Sequence, residues 1–129
     1  MYTMMQVCRE LDMTYQTLKF YCNEGLVPNV KRDHNNRRVF DEKDVKWIKD
    51  LTCLKKCGMS IQEMKKYLEL CLQGEATIVS RKKMLARKQE ELRASIKELE
   101  DSISYIGWKQ NFYDEVLSGK RPYVSNLIR

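Results

Sequence analysis

The sequence predicts an all-α chain with one small β-hairpin, organised as a head of short helices followed by one long helix. Two observations predict this fold class. A pattern typical of helix starts occurs four times before residue 73, and beyond Gly74 apolar residues recur every seven positions. The first pattern indicates short helices packed on one another, and the second indicates a helix with a single apolar stripe.

Each helix start has a side chain able to accept a hydrogen bond, with an apolar residue just before it and another near the end of the first turn. The side-chain oxygen satisfies a free backbone amide, and the two apolar residues fix the direction in which the chain enters the helix. The four capping residues are Thr3, Thr14, Asp41 and Ser60. They predict helices over residues 3–11, 14–23, 41–56 and 60–72.

The first two helices are separated only by Asp12 and Met13, which leaves room for no more than a tight turn. Gly25 ends the second helix, and Pro28 prevents its continuation. Turn-forming residues within 28–40 then predict a short β-hairpin, called the wing here. The apolar residues expected to form a small core across the turn are Val7, Leu11, Leu18 and Tyr21. Together these elements predict a winged helix-turn-helix.

The long helix carries an apolar seam with seven-residue spacing, and most other positions hold Lys, Arg, Glu or Gln. The seam residues are Ile78, Leu85, Leu92, Ile96, Leu99, Ile103 and Ile106. A lone helix with a narrow apolar stripe is not stable in water, so the seam needs a partner. We expect a second copy of the chain, giving a homodimer joined by an antiparallel coiled coil; folding back onto its own head is the alternative. The predicted domains are the head over 1–73, the dimerisation helix over 74–106 and, after a break at Gly107, a short helix and tail over 107–129.

The charge distribution favours a polyanionic partner. The net charge is +6 and the isoelectric point is about 9.1. The segment 28–38 has four basic residues against Asp33 alone. A basic hairpin beside a helix-turn-helix suits double-stranded DNA, because cations bind phosphates while polar side chains reach base edges. The candidate DNA contacts are Thr14, Tyr15, Gln16, Thr17, Lys19, Phe20, Tyr21, Lys31, Arg32, Arg37 and Arg38. A solvated basic loop is the alternative for the wing.

Several other classes of protein lack support in the sequence. No apolar run has transmembrane length and no signal-peptide pattern occurs, so we expect a cytoplasmic protein without a membrane partner. No catalytic triad, phosphate-binding glycine loop or carboxylate pair indicates an enzyme, and no cofactor is predicted. The five cysteines contain no CxxC pair and are expected to be free thiols in a reducing compartment.

The head resembles the MerR family of transcription regulators over about residues 2–72. The matching stretches are Thr3-Met4-Met5-Gln6-Val7-Cys8, Thr17-Leu18-Lys19-Phe20-Tyr21, Glu24-Gly25-Leu26-Val27-Pro28, Arg38-Val39-Phe40 and Asp44-Val45. Lys19 stands where the family usually has Arg, and Asn36-Arg37 replaces the usual Gly-Tyr of the wing. The resemblance implies a homodimer on a promoter with an over-long spacer. It also implies that the regulator bends and untwists this DNA for RNA polymerase.

The surroundings of Cys53 resemble the branch of the family that senses aldehydes and nitrosative or electrophile stress through a thiol. Lys49, Lys55 and Lys56 lie nearby and would favour the reactive thiolate form. The resemblance therefore implies that Cys53 is the sensor; its alternative role is that of a small buried hydrophobe. For Cys57 the buried role is the favoured one.

The sequence also admits two other functions. A coiled-coil adaptor would account for residues 75–106 but not for the capped corner and the basic wing. A metal-responsive regulator would use Cys53 and Cys57, which lie four residues apart, but two thiols are too few for a closed metal site.

Overall fold

The computed structural model describes all 129 residues and confirms a mostly helical chain with a small sheet. Two short helices come first, α1 (Met4–Leu11) and α2 (Tyr15–Asn23), and two more follow the wing, α3 (Glu42–Lys56) and α4 (Ile61–Leu72). A 3-10 turn over Gly74–Thr77 leads into α5 (Ile78–Leu117). The strands are β1 (Tyr2–Thr3), β2 (Lys31–Arg32) and β3 (Arg38–Phe40).

All four predicted capping residues cap the helices expected of them. The side chains of Thr3, Thr14, Asp41 and Ser60 each accept a hydrogen bond from the backbone amide three residues later. At all but Thr14 the side chain of that third residue also accepts from the backbone amide of the cap, which completes a capping box. The helix starts follow from local side-chain chemistry, as the sequence predicted.

The wing belongs to a three-stranded antiparallel sheet with the order β1-β3-β2. Tyr2 pairs with Phe40 on one edge of β3, and Lys31 pairs with Val39 on the other. Sequence analysis predicted the β2–β3 hairpin but missed β1. Two residues are too few to show an alternating pattern, and their partner lies almost forty positions away, so β1 has no local signal.

The core of the head lies between the sheet and the first four helices. Its largest fully buried side chains are Val7, Leu18, Tyr21, Leu26, Phe40, Ile48, Leu51 and Met64. Trp47 closes one side of this core, where its indole Nε1 donates to the carbonyl of Leu26 over 2.7 Å and its ring stacks on Tyr67. These contacts join α3 to α4 and to the segment that follows α2, and so fix the three against one another.

The chain divides into two compact units, Met1–Lys88 and Gln89–Arg129. The first unit includes the start of α5, which is attached to α4 by polar contacts. The Thr77 hydroxyl donates to the Leu70 carbonyl, and an Arg81 guanidinium nitrogen donates to the Gly74 carbonyl over 2.5 Å. Lys88 forms an ion pair with Glu63, with 3.2 Å between its Nζ and a carboxylate oxygen.

The second unit has no helix break at Gly107, so the predicted break is wrong. Helix α5 continues without interruption to Leu117. A glycine inside a helix costs about 1 kcal/mol relative to alanine but removes no backbone hydrogen bond, so the flanking turns carry the helix through it. Near the end of α5 the rings of Tyr105, Trp108 and Phe112 stack in succession at centroid separations of 6.2 and 6.1 Å.

None of the helices of the chain is both long enough and apolar enough to cross a membrane.

An ion cluster joins the wing to the start of α3. The Lys31 ammonium lies 2.9 Å from a carboxylate oxygen of Asp41 and 3.2 Å from one of Asp44, and Asp44 is buried. The hydrogen bond from Lys31, followed by that from the Asp44 amide, lowers the pKa of Asp41 from 3.8 to about 2. The Lys31–Asp41 pair therefore stabilises the head only while Asp41 is ionised.

This lowered pKa predicts a contribution to the acid sensitivity of the head. Because the folded pKa lies below the unfolded one, the stabilisation is complete above pH 3.8 and is lost as the pH falls toward 2. Asp41→Asn keeps a good capping residue but removes the charge. We expect its free energy of unfolding, measured in urea, to fall less steeply than that of the wild type between these pH values. Asp50→Asn on the exposed side of α3 is the control. Parallel pH curves for Asp41→Asn and wild type would contradict the prediction.

Candidate nucleic-acid interface

Helix α2 presents a polar and aromatic face to solvent. Tyr15 and Phe20 are 47% and 45% exposed, although both are large apolar side chains. Gln16 and Lys19 are also exposed, and the hydroxyls of Thr14 and Thr17 lie 2.8 Å apart at the first turn. This face offers hydroxyl, amide and ammonium groups together with two aromatic rings, which is the mixture that contacts phosphates and base edges in a major groove.

Tyr21 does not belong to that face, which corrects its inclusion among the DNA contacts. Its side chain is only 2% exposed and packs in the core of the head. Burial also raises the pKa of its phenol. Leu18 and Tyr21 are three residues apart on α2, so they share the helix face that points away from solvent. The predicted core role of Tyr21 holds, and its predicted DNA contact does not.

The wing turn is closed by a side chain rather than by a glycine. Asn36 has φ +60°, the left-handed conformation that asparagine tolerates better than most residues. One carboxylate oxygen of Asp33 accepts hydrogen bonds from the amides of Asn35 and Arg37, each over 2.9 Å. The bond from the Arg37 amide is the main reason why the pKa of Asp33 lies below its usual value. Asn36 therefore supports a tight wing turn where the family usually has Gly.

Three of the four wing cations are available to a ligand. Arg32 and Arg37 are exposed, and Arg32 donates to the Asn36 carbonyl over 3.0 Å. Arg38 is half-buried and donates to the side-chain oxygen of Asn23 over 2.6 Å, which joins β3 to the end of α2. This bond fixes the wing arginine relative to the polar face of α2.

Lys31 is the exception among the wing cations. Its ammonium is shared between the carboxylates of Asp41 and Asp44, and the hydrogen bond to Asp41 raises its pKa. Lys31 as a DNA contact stays a prediction, while in this structure its ion pairs hold the wing against the start of α3. The sequence showed a basic residue in the hairpin but not the two carboxylates that the fold brings to it.

A groove of about 510 Å³ lies between the wing and the first turns of α1 and α2. Its lining residues are Thr3, Met4, Met5, Tyr15, Arg32, Asp33, Asn36, Arg37, Arg38 and Val39. The sequence did not predict the contributions of Thr3 and Met5, nor Asn23 as the partner of Arg38. Met5 is exposed although it is apolar, which no pattern in the sequence distinguishes from a core methionine.

The thiols at the end of α3 are open to solvent. Cys53 and Cys57 are both exposed, whereas Cys8 is buried and Cys22 and Cys71 are intermediate. The buried role considered for Cys53 and favoured for Cys57 is therefore wrong in this chain. No group of three or more His, Cys, Asp or Glu side chains lies close enough together to hold a metal ion.

The apolar seam of α5 is also uncovered. All seven predicted seam residues are exposed, from 37% for Leu85 to 69% for Ile103.

Comparison with known proteins agrees with this arrangement. The model of the MerR helix-turn-helix family of regulatory proteins matches residues 2–71, and a second model, described as MerR, DNA binding, matches residues 45–106. The chain belongs to the MerR family. Its members are transcription regulators, so this MerR protein is a DNA-binding transcriptional regulator, and the coiled-coil adaptor alternative is set aside.

Three relatives illustrate the similarity. A helix-turn-helix regulator of uncharacterised role from Haemophilus influenzae is 33% identical over 88% of this chain and 84% of its own length. The regulator AdhR of Bacillus subtilis is 37% identical over 67% of this chain and 62% of its own length. The crystal structure of HiNmlR, a MerR family regulator lacking the sensor domain and bound to promoter DNA, has a TM-score of 0.73. It is 32% identical, and the match covers 91% of this chain and 93% of that protein. These relatives are consistent with membership of the branch of the family that contains AdhR and NmlR-like regulators.

The geometry of the wing predicts how two arginines act. Arg37→Ala and Arg38→Ala should each weaken binding to specific and unrelated DNA alike. Each should also reduce the slope of log affinity against log salt by about one unit, because one phosphate contact is lost. Gel shifts at several salt concentrations measure both quantities. Lys66→Ala removes the same charge from the exposed side of α4 and is the matched control. An unchanged salt slope in both arginine variants would exclude the wing from the interface.

Proposed function

We propose that the chain acts as a homodimer that binds a promoter with an over-long spacer and is switched by modification of the Cys53 thiol. The observation that carries the proposal is the uncovered apolar seam on α5 beside a complete DNA-binding head. One head would contact one half-site, and two heads held at a fixed distance would contact both halves of a symmetric operator.

The seam supports pairing of two α5 helices. From Ile78 to Ile106 it extends over roughly 42 Å at about 1.5 Å per residue. A continuous apolar surface of this length is unusual on a monomer and is typical of a protein interface. Seven-residue spacing is the pattern of a left-handed coiled coil. The polar interruptions at Lys82 and Gln89 favour a specific register in the pair, which we propose to be antiparallel.

Introduction of a charge into the seam tests the homodimer. Leu99→Asp should raise the dimer dissociation constant at least about 100-fold, since each lost leucine contact removes about 2 kcal/mol and a charge is buried as well. Sedimentation velocity at micromolar concentration measures the species present. Ala94→Asp places the same charge on a side of α5 away from the seam and should leave the dimer intact. A monomeric wild type would refute the pairing itself.

DNA deformation is the proposed output of this dimer. Its two wings would bind the backbone at both ends of the spacer, and bending and untwisting would bring the two promoter elements into phase for RNA polymerase. Binding of HiNmlR to promoter DNA supports the same mode for this chain, because the two proteins match over 91% of its length.

Cys53 is the proposed trigger because its thiol is exposed on α3, within the head that contacts DNA. An exposed thiol among basic residues is accessible to an aldehyde or a nitrosating agent. Lys49 lies one turn before it and Lys56 nearly one turn after it on the same helix. Attachment of a group to Cys53 would therefore change the surface of α3 without disturbing the buried core.

Cys53→Ser tests the trigger. The variant should bind promoter DNA with wild-type affinity, because Cys53 lies outside the wing and the α2 face, but should lose induction by an aldehyde. In vitro transcription from the promoter, with and without the aldehyde, measures the loss. Cys71→Ser is the matched control and should keep the response. If induction survives in Cys53→Ser, the sensor is another residue.

A further inference from the structure

We propose that Cys53 and Cys57 form one dithiol site that a short-chain aldehyde closes with a single-carbon bridge between the two sulfurs. The inference rests on the proposed function, since it makes the aldehyde response of Cys53 a two-thiol reaction. It assigns to Cys57 a role in the chemistry that its exposed position allows.

The two thiols lie one helical turn apart at the end of α3. The Cys57 amide donates to the Cys53 carbonyl over 3.1 Å, so the turn between them is a regular helical one. Residues four apart on a helix share a face, with about 5–6 Å between their Cβ atoms. Both residues are exposed, so an aldehyde can reach each sulfur from solvent.

The span between the thiols favours a bridge atom over a direct bond. A disulfide needs its Cβ atoms about 3.5–4.5 Å apart, which is shorter than one helical turn provides. Direct oxidation would therefore have to break the last turn of α3. A carbon atom between the sulfurs lengthens the link by one bond, so the bridge closes while the turn stays intact.

The reaction balances without an oxidant. The Cys53 sulfur adds to the aldehyde carbonyl carbon, and the carbonyl oxygen takes up the thiol proton to give a hemithioacetal. The Cys57 sulfur then forms a bond to the same carbon as the carbon–oxygen bond breaks. The hydroxyl leaves with the Cys57 proton as water, and the product is a dithioacetal. The first step is reversible, whereas the second removes the hydroxyl through which the adduct decomposes.

The bridge would also act on the corner that follows α3. Gly58, next after Cys57, has φ +86° and donates its amide to the Lys55 carbonyl over 2.9 Å. The Gly58 carbonyl lies 3.5 Å from the Lys88 ammonium, and Lys88 is ion-paired with Glu63. A covalent bridge one residue before this corner would therefore restrict the contact between α3, α4 and the start of α5.

Mass spectrometry of the full-length protein tests the inference with formaldehyde as the probe. The wild type should gain the mass of one carbon atom, which is formaldehyde less water, and keep it through dialysis. Peptide sequencing should locate the added carbon between Cys53 and Cys57. Cys57→Ser should gain at most the mass of whole formaldehyde and lose it on dialysis. Cys71→Ser should behave as the wild type.

The possible failures are distinguishable. A carbon bridge located between a cysteine and Lys49 or Lys56 would overturn the dithiol assignment. The assignment would also be overturned if formaldehyde induces transcription through Cys53 in the wild type but leaves only an adduct that dialysis removes. If formaldehyde fails to induce transcription in the wild type at all, the proposed aldehyde response is wrong, and a bridge found in the same sample would remain as an independent property of the two thiols.

Discussion

Strand β3 is the constraint on which the position of the wing depends, because both of its edges are hydrogen-bonded and its last side chain is buried. Phe40 has no exposed surface, β1 pairs along one edge and β2 along the other. Arg38, at the start of the same strand, reaches Asn23 at the end of α2. The strand thus sets the distance between the basic wing and the polar helix face, and a DNA duplex would meet both at once.

The ionisable residues near the wing divide into two groups with different roles. Lys31 is paired with both Asp41 and Asp44, and this cluster holds the wing against α3. Arg32 and Arg37 stay exposed, with no carboxylate paired to either. Because the two carboxylates of the first group leave no excess positive charge on it, the positive field at the groove comes from the arginines. The same hairpin therefore separates cations that maintain the fold from cations that can bind phosphates.

Local chemistry explains which features were predictable from the sequence. The capping residues predicted every helix start in the head, since a cap acts within one turn. The positions of the seam residues on α5 were equally predictable, because their seven-residue spacing repeats. Pairings over long sequence separations were not predictable from the sequence, because they depend on the fold. Examples are the pairing of β1 with β3, of Lys31 with Asp44, and of Arg38 with Asn23. Gly107 shows the reverse error, in which a local preference was given more weight than the cooperativity of a long helix.

The contacts of Lys88 and Arg81 make the beginning of α5 a part of the head rather than a flexible connection. Met84 packs against the same core. A rotation of this stretch of α5 about its own axis would have to break these contacts or carry α4 and the wing sheet with it. A displacement of the first turns of α5 would therefore be passed on to α4 through the Lys88–Glu63 ion pair and the packing of Met84.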